Sequence, residues 1–536
     1  TMSVIRRDFP NVLIVTGGAN ISPFGATDFS NRKRKIKLAE AFCQQQDLQI
    51  LEKIPNCDYF THGDGELPFS LIVKEFIKYD YSRKKMITNK ATVPGASLVY
   101  ENQLIFGGTG ELLKSLDEFD SPYILGLYDE ILSKYDLVPQ IETDRGCPFE
   151  CGFCTIGGWT NAVIKHSVEW SKKEILDLKE RSKIKILRIA NSNFGLLRHD
   201  VEIGTFLKNL RDETGYPSGI RVYSAARGAN ERVKNLMLLF GDMLPLNLSF
   251  QSLTGEVLDN VKRINHSDAV VEDMSRFAIE NDLMLSTELI LGLPGETYKS
   301  FLDNYNQLFR YGFESVIVAP LALIRGSDFY TDEAREKYKF KTKCVLIGKS
   351  VSVIEDELFF EYDQCPVESS SYNEKEYWNM HMVSIFAYMT CRGGYYKELF
   401  RHAFNYEITF KDIFLEIKNN PSTYPLFSTI LDNSLNVIKK LFFSDEDSLR
   451  SRLEQEIKQK GNPDNVDIYY NSWEAASKLI STEQRKEFID EFSKAIINIY
   501  VLGSETNRDE FCEIIENLKK YTELIILSPQ ELPKEK

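Results

Sequence analysis

The sequence predicts an α/β protein in three parts. These are a doubly wound, Rossmann-like domain over residues 1–125, a partial (β/α)6 barrel over 126–340 and an α-helical region over 341–536. Three observations predict it. The 536 residues exceed one ordinary domain. Short apolar runs alternate with helical periodicity as far as residue 325, the rhythm of βα units. Beyond residue 345 that alternation stops and amphipathic helical patterns dominate.

In the first part, Val12–Thr16 reads as a strand followed by Gly17-Gly18, and Arg34–Gln46 as a helix. Tyr59–His62 reads as a second strand, followed by Gly63-Asp64-Gly65-Glu66 and an amphipathic helix over Leu67–Tyr79. Glycine turns after strands and before helices mark a doubly wound sheet, whose ligands sit at the C-terminal strand ends. Met2–Arg7 read as the end of a helix, which predicts that the natural domain has residues upstream of this chain.

A connector with Pro122 and Pro139 leads to a strand at Val138–Thr143. Further strands follow at Ile184–Ala190, Ile220–Ala225, Leu246–Phe250, Leu283–Leu291 and Ser315–Pro320. Helices are expected between them, at Val168–Arg181, Val201–Asp212, Asn230–Phe240, Gly255–Arg263, Ser267–Asn281 and Tyr298–Tyr311. Six such strands suit an open barrel better than a closed eight-fold one, with its site at the C-terminal strand ends. The helical region is expected at Trp378–Tyr388, Tyr395–Phe404, Leu435–Phe442, Ser448–Gln459 and Glu483–Tyr500. It is expected to cover the barrel mouth. His381, on a strongly apolar helix, reads as a core histidine.

Composition narrows the function. Hydrophobic residues make up 43% and charged residues 27%, as expected of a soluble globular protein. The longest apolar run, Val316–Ile324, is interrupted by Pro320 and is too short to span a bilayer. A net charge of −14 argues against indiscriminate nucleic-acid binding.

Three of the nine cysteines, Cys147, Cys151 and Cys154, lie in a C-x3-C-x2-C loop directly after a strand. The other six (Cys43, Cys57, Cys344, Cys365, Cys391 and Cys512) are scattered and read as buried free thiols. Three thiolates on one compact loop can hold an iron–sulfur cluster. Such clusters usually take four cysteines, so three leave one iron open to another ligand. The alternatives are a structural zinc site or fortuitous spacing. Zinc needs a fourth ligand, commonly from a second ligand pair, and no second pair is present.

This loop, with Phe153 before the third cysteine, resembles that of the radical S-adenosylmethionine (SAM) superfamily. The resemblance implies that Cys147, Cys151 and Cys154 hold a 4Fe-4S cluster whose open iron binds SAM. Reductive cleavage of SAM would then give a 5′-deoxyadenosyl radical. Glu288-Leu-Ile-Leu-Gly292-Leu-Pro-Gly-Glu296-Thr297 looks like the family's adenine-pocket motif. Gln251-Ser252 is similar to its polar element near the ribose, and Ser224 and Arg227 are expected near the methionyl group. Asn191-Ser-Asn193-Phe194-Gly195 resembles the Asp-x-Asn-Phe of the cobalamin-binding branch, with Asn191 in place of Asp. Taken singly, each of these polar residues is as well explained by strand capping or turn formation.

A doubly wound domain before the barrel resembles the same branch. Gly17, Gly18, Gly63 and Gly65 would border the cobalamin, since glycine lets backbone approach a large flat ligand. The Asp-x-His-x-x-Gly signature of a histidine ligand to cobalt is absent, and His62 reads as a surface or turn residue.

The resemblance implies cobalamin-dependent methylation of an unactivated carbon, a transferase reaction. Cyclisation or rearrangement without methyl transfer is the alternative. A non-catalytic iron–sulfur or cobalamin-binding regulator is the third reading. The resemblance further implies an electron donor such as flavodoxin or ferredoxin, a small-molecule or peptide substrate, and a reducing cytoplasm.

Overall fold

The structure, a computed structural model, describes residues 2–17, 56–62, 64–101, 103–108, 110–111, 113–156, 163–223, 230–241, 246–391, 396–466, 468, 484–503 and 507–527. The expected helix at Arg34–Gln46, together with Gly18, Gly63, Ser224 and Arg227, lies outside the described residues. The chain divides into two compact units, residues 1–223 with 323–337, and residues 224–322 with 338–536.

The first unit opens with the short helix Met2–Asp8. Arg6 anchors it, donating from Nη2 to Asp58 Oδ2 at 2.5 Å, while Arg83 Nε donates to Asp58 Oδ1 at 2.9 Å. Strands β1 (Val15–Thr16) and β2 (Tyr59–Thr61) pair in parallel. Strands β3 (Ala96–Tyr100) and β4 (Gln103–Phe106) then extend the sheet antiparallel, in the order β1-β2-β3-β4. The expected parallel pair is present, and the antiparallel hairpin was not anticipated. Tyr59, Ile72, Met86, Val93 and Leu98 form the core between sheet and helices. The helix Glu66–Lys78 follows β2 within one residue of its expected bounds.

The second sheet of this unit holds β5 (Gln140–Ile141), β8 (Ile186–Ile189) and β9 (Gly219–Arg221), all parallel, in the order β5-β8-β9. Between β5 and β8 the short antiparallel pair β6 (Asp144–Arg145) and β7 (Ile164–Lys165) brackets the cysteine loop. The helix Val168–Arg181 has its expected bounds because Ser167 caps it, its hydroxyl accepting from Trp170 N at 3.2 Å.

This helix carries Glu174 on its inner face, where Glu174 Oε1 accepts from Ser121 Oγ at 2.5 Å. Burial pushes the Glu174 carboxyl up to about 7 from 4.5, against the Ser121 hydrogen bond and aided by the Asp177 and Glu142 charges. The folded value lies above the unfolded one, so this contribution is complete below pH 4.5 and is lost as pH rises through 7. Glu174→Gln is expected to flatten that slope. In urea unfolding, the variant should gain about 2 kcal/mol over wild type between pH 5 and pH 8.

The second unit contains β10 (Leu246–Asn247), β11 (Leu285–Leu291) and β12 (Ser315–Pro320), a parallel sheet in sequence order. With β5, β8 and β9 they make the six βα strands expected, three in each unit. The helix Asn230–Phe240 and strand Ser315–Pro320 keep their expected bounds.

Where only helices were expected, the chain forms a long antiparallel hairpin, β13 (Lys341–Ile354) with β14 (Glu357–Glu368). Register shifts interrupt its alternation, and Pro366 lies within it. Period-2 patterning is therefore blurred.

The rest of this unit is helical, over Glu374–Cys391, Lys397–Asn405, Phe410–Asn419, Pro425–Lys439, Glu446–Lys460, Gln484–Gly503 and Arg508–Leu527. Phe386, Phe410, Phe427 and Phe492 build an aromatic core among them. His381 is buried against Tyr377, Trp378 and Phe442. Burial holds its imidazole down at about 3, so it stays neutral, as a core histidine should. No described helix is long and apolar enough to cross a membrane.

Candidate functional site

The cysteine loop leaves β6 through Gly146, whose φ of 106° favours glycine. Cys147, Cys151 and Cys154 stand outside any disulfide, Cys151 buried and the others half-buried. Cys154 N donates to Cys151 O at 2.9 Å, closing the turn, and Phe153 lies half-buried within it. A Cβ on Gly152 would meet Phe329 and Asp328 at 3.4 Å, so the loop packs closely on that segment.

Asn193 donates from Nδ2 to Cys147 Sγ at 3.2 Å, and Ile156 N donates to Cys154 Sγ at 3.4 Å. Burial raises the Cys147 thiol. The Phe149 and Asn193 hydrogen bonds oppose that rise, and the other two cysteines add to it. Three thiolates on one loop leave a structural zinc short of its fourth ligand, whereas they suit a cluster with one open iron.

Of the other scattered cysteines that are described, Cys57, Cys344, Cys365 and Cys391 are buried free thiols, as expected, and Cys512 is a half-buried one.

Asn191 holds the base of the loop. Its Oδ1 accepts from Thr143 N at 3.0 Å and Asp144 N at 3.3 Å, and its Nδ2 donates to Thr143 Oγ1 and Asp144 Oδ2 at 2.6 Å each. The two asparagines of Asn191-Ser-Asn193 thus serve one strand end, one fixing the backbone and the other a cysteine. Arg145, two residues before Cys147, binds Asp64 at 3.0 Å, Glu66 at 2.8 Å and Glu142 at 2.7 Å. It ties the Gly-Asp-Gly-Glu turn after β2 to the cysteine loop.

Arg145→Ala leaves three carboxylates facing one another. It is expected to cost about 1–2 kcal/mol in chemical unfolding, with Arg145→Lys recovering part of the loss.

At the strand ends of the first sheet, Gly17 has a reason within the chain. A Cβ there would collide with Thr61 Oγ1. Gly65 has no such reason, because its φ is −80° and its nearest neighbour would lie 3.7 Å away. His62 is not the surface residue expected. It is buried, with Nε2 2.8 Å from Ser97 Oγ, and burial holds it down at about 4. The strand that precedes it carries it inward beneath the antiparallel hairpin.

In the second unit, Gln251 adopts φ 67°, the left-handed region that glutamine rarely visits. Gln251 N donates to Glu288 O at 2.8 Å and Gln251 O accepts from Ile290 N at 2.9 Å, which hold it there.

The Ser252 hydroxyl is used inside the protein. It donates to Glu296 Oε2 at 2.9 Å and accepts from Asn304 Nδ2 at 3.2 Å. Glu296 also accepts from Asn304 at 3.2 Å and from Thr254 at 3.5 Å, and it contacts Ser300. Glu288 is half-buried, accepting from Asn247 and Ser249 at 3.4 Å each. Gly292, with φ 89°, lies under two tyrosines. A Cβ there would meet Tyr372 Oη at 2.9 Å and Tyr377 Cε2 at 3.2 Å.

No protein-family profile matches the chain. It is 28% identical over 349 residues to the cobalamin-dependent radical SAM methyltransferase TokK of Streptomyces tokunonensis, covering 63% of this chain and 47% of that protein. It is 30% identical over 352 residues to the 2-(S-pantetheinyl)-carbapenam-3-carboxylate methyltransferase of Streptantibioticus cattleyicolor, covering 63% of this chain and 47% of that protein. The chain thus spans about half the length of these curated relatives. A tRNA-2-methylthio-N(6)-dimethylallyladenosine synthase of Bdellovibrio bacteriovorus is 23% identical over 219 residues, 39% of this chain and 47% of that protein. Among solved structures, the cobalamin-dependent S-adenosylmethionine radical enzyme OxsB aligns with a TM-score of 0.46 at 13% identity, covering 98% of this chain and 78% of that one. Its cysteine loop and these sequence relatives make the chain similar to the radical SAM superfamily and to its cobalamin-binding branch.

Proposed function

We propose that this chain binds a 4Fe-4S cluster, SAM and cobalamin, and methylates an unactivated carbon of a small molecule or peptide. The observation that carries this reading is the loop of three cysteines, none in a disulfide, with an Asn193 donor on Cys147. The likeness to proteins named as cobalamin-dependent radical SAM or carbapenam methyltransferases supports it. When bound, the cluster supplies the electron that cleaves SAM, and cobalamin supplies a carrier for the methyl group.

The chain's own residues bind, orient and exclude water. Cys147, Cys151 and Cys154 hold the iron, and the half-buried loop limits solvent at their sulfurs. Asn193 fixes the Cys147 sulfur by a hydrogen bond, and Asn191 fixes the backbone that carries it. Gln251, Ser252, Glu288 and Gly292 are assigned to SAM, with Ser252 acting by holding Glu296 rather than by direct contact. Phe153 and Ser224 complete that assignment. Gly17, Gly18, Gly63 and Gly65 are assigned to the cobalamin side, where Gly65 has the open surroundings a ligand would need.

Hydrogen bonds to cluster sulfurs stabilise the reduced form, so Asn193→Ala is expected to lower the midpoint potential. One hydrogen bond of about 1 kcal/mol corresponds to a drop of about 40 mV for one electron, read by a redox titration followed by electron paramagnetic resonance.

To test methyl transfer, the anaerobically reconstituted chain is given SAM, reductant and cobalamin, and S-adenosylhomocysteine is measured by mass spectrometry. Its formation only when cobalamin is present supports the reading. 5′-Deoxyadenosine without S-adenosylhomocysteine would assign a non-methylating radical reaction instead.

A further inference from the structure

Behind the cysteine loop lies a second group of ligand-type side chains that the proposed reaction does not use. Asp144, His199 and Asp200 are all buried, at 3%, 4% and 0% exposure, and each brings one ligand atom within 4.8 Å of the others. Neither ring nitrogen of His199 has a hydrogen-bond partner among the described residues. An imidazole sealed in the interior with both nitrogens unsatisfied is costly. Its Nδ1 stands 3.5 Å from Asp200 Oδ1, too far for a good hydrogen bond. Two ligands on one ion at bonds of about 2.0–2.1 Å, with near-tetrahedral angles, stand about 3.4 Å apart.

Both carboxylates are already held at their other oxygen. Asp144 Oδ2 accepts from Asn191 Nδ2 at 2.6 Å. Asp200 Oδ2 accepts from Gly195 N at 2.8 Å and Leu197 N at 2.9 Å. Outer donors of this kind orient metal ligands. Two buried carboxylates side by side also repel, and a cation between them removes that repulsion.

We propose that Asp144, His199 and Asp200 form a binding site for a single divalent transition-metal ion, separate from the cysteine loop. Two carboxylate oxygens and one imidazole suit manganese, iron(II) or zinc. The ion is structural. Asp144 lies three residues before Cys147, and His199 and Asp200 begin the helix that follows the Asn193 loop. The ion therefore pins both segments that place Cys147 and its hydrogen-bond donor. This assignment does not depend on the proposed reaction.

The test loads the full chain, with its cluster reconstituted, with Mn2+ and separately with Zn2+. The protein is then desalted, and metals are counted by elemental analysis. Mn2+ is informative because thiolates bind it poorly. The expected result is about one Mn or Zn per chain beyond the four irons of the cluster, with a raised melting temperature. In His199→Ala the extra metal and the thermal shift should both be lost while the iron count stays unchanged. Should His199→Ala fold poorly, His199→Gln and Asp144→Asn serve in its place. Retention of neither metal by the folded wild-type chain would overturn the site, as would equal retention by the wild-type and variant chains.

Discussion

Replacing Cys151 with alanine is expected to abolish reductive SAM cleavage, lowering 5′-deoxyadenosine formation at least about a thousandfold, or ~4 kcal/mol of barrier. Cys151 is the most buried of the three loop cysteines, and its carbonyl also receives Cys154 N at 2.9 Å. The backbone turn survives the substitution, because that hydrogen bond does not involve the sulfur. Loss of one sulfur atom from a small, nearly buried site costs about 1 kcal/mol of stability, so the variant should stay folded. Iron content after reconstitution checks the cause. It should fall with the activity, whereas a variant that kept its iron and lost activity would place the defect elsewhere.

Replacing Glu296 with alanine is expected to cost about 3 kcal/mol in urea unfolding. Glu296 is fully buried and gathers Ser252, Thr254, Ser300 and Asn304. Removing it strands several buried donors at once. Burial raises the Glu296 carboxyl, against the pull of its hydrogen bonds from Ser300 and Ser252. Its neutral form is thus favoured in the folded state, and Glu296→Gln, neutral at every pH, should cost about 1 kcal/mol or less. The pair separates two effects. A cost of equal size in both variants would mean that the carboxylate charge, not the hydrogen-bond network, is what the fold requires.

The elements with strong local signals were legible. Ser167 caps the helix Val168–Arg181, and Thr297 caps Tyr298–Arg310, its hydroxyl accepting from Ser300 N. Both helices were placed within one residue of their observed bounds. The two hairpins were not read, because their turns lack the usual asparagine–glycine signal. In β13–β14, Glu355 and Asp356 carry the positive φ values, 50° and 65°, that a tight hairpin turn demands. Glu101, at the β3–β4 turn, has φ 47°. Tertiary pairing imposes these conformations on residues that do not advertise them.

The cysteine loop was legible because its three ligands are local. The surroundings of that loop were not. Asn193 is 46 positions from Cys147, and Arg145 is 81 positions from Asp64. Cys147 and Asn193 each carry a motif signal, but nothing in the sequence pairs them, or pairs Arg145 with Asp64, until the fold brings them together. His62 failed for the same reason. Its partner Ser97 lies on a strand that the sequence did not reveal. Ser252 shows the converse. Its place in a motif suggested ligand contact, but its hydroxyl serves Glu296, 44 positions away.

The most direct test of the central claim is 5′-deoxyadenosine formation by the anaerobically reconstituted chain with SAM and dithionite, quantified by mass spectrometry beside Cys151→Ala. The account predicts reductant-dependent 5′-deoxyadenosine from the wild-type chain and none above background from the variant. No product from a wild-type chain carrying a full complement of iron, or equal product from both chains, would contradict it.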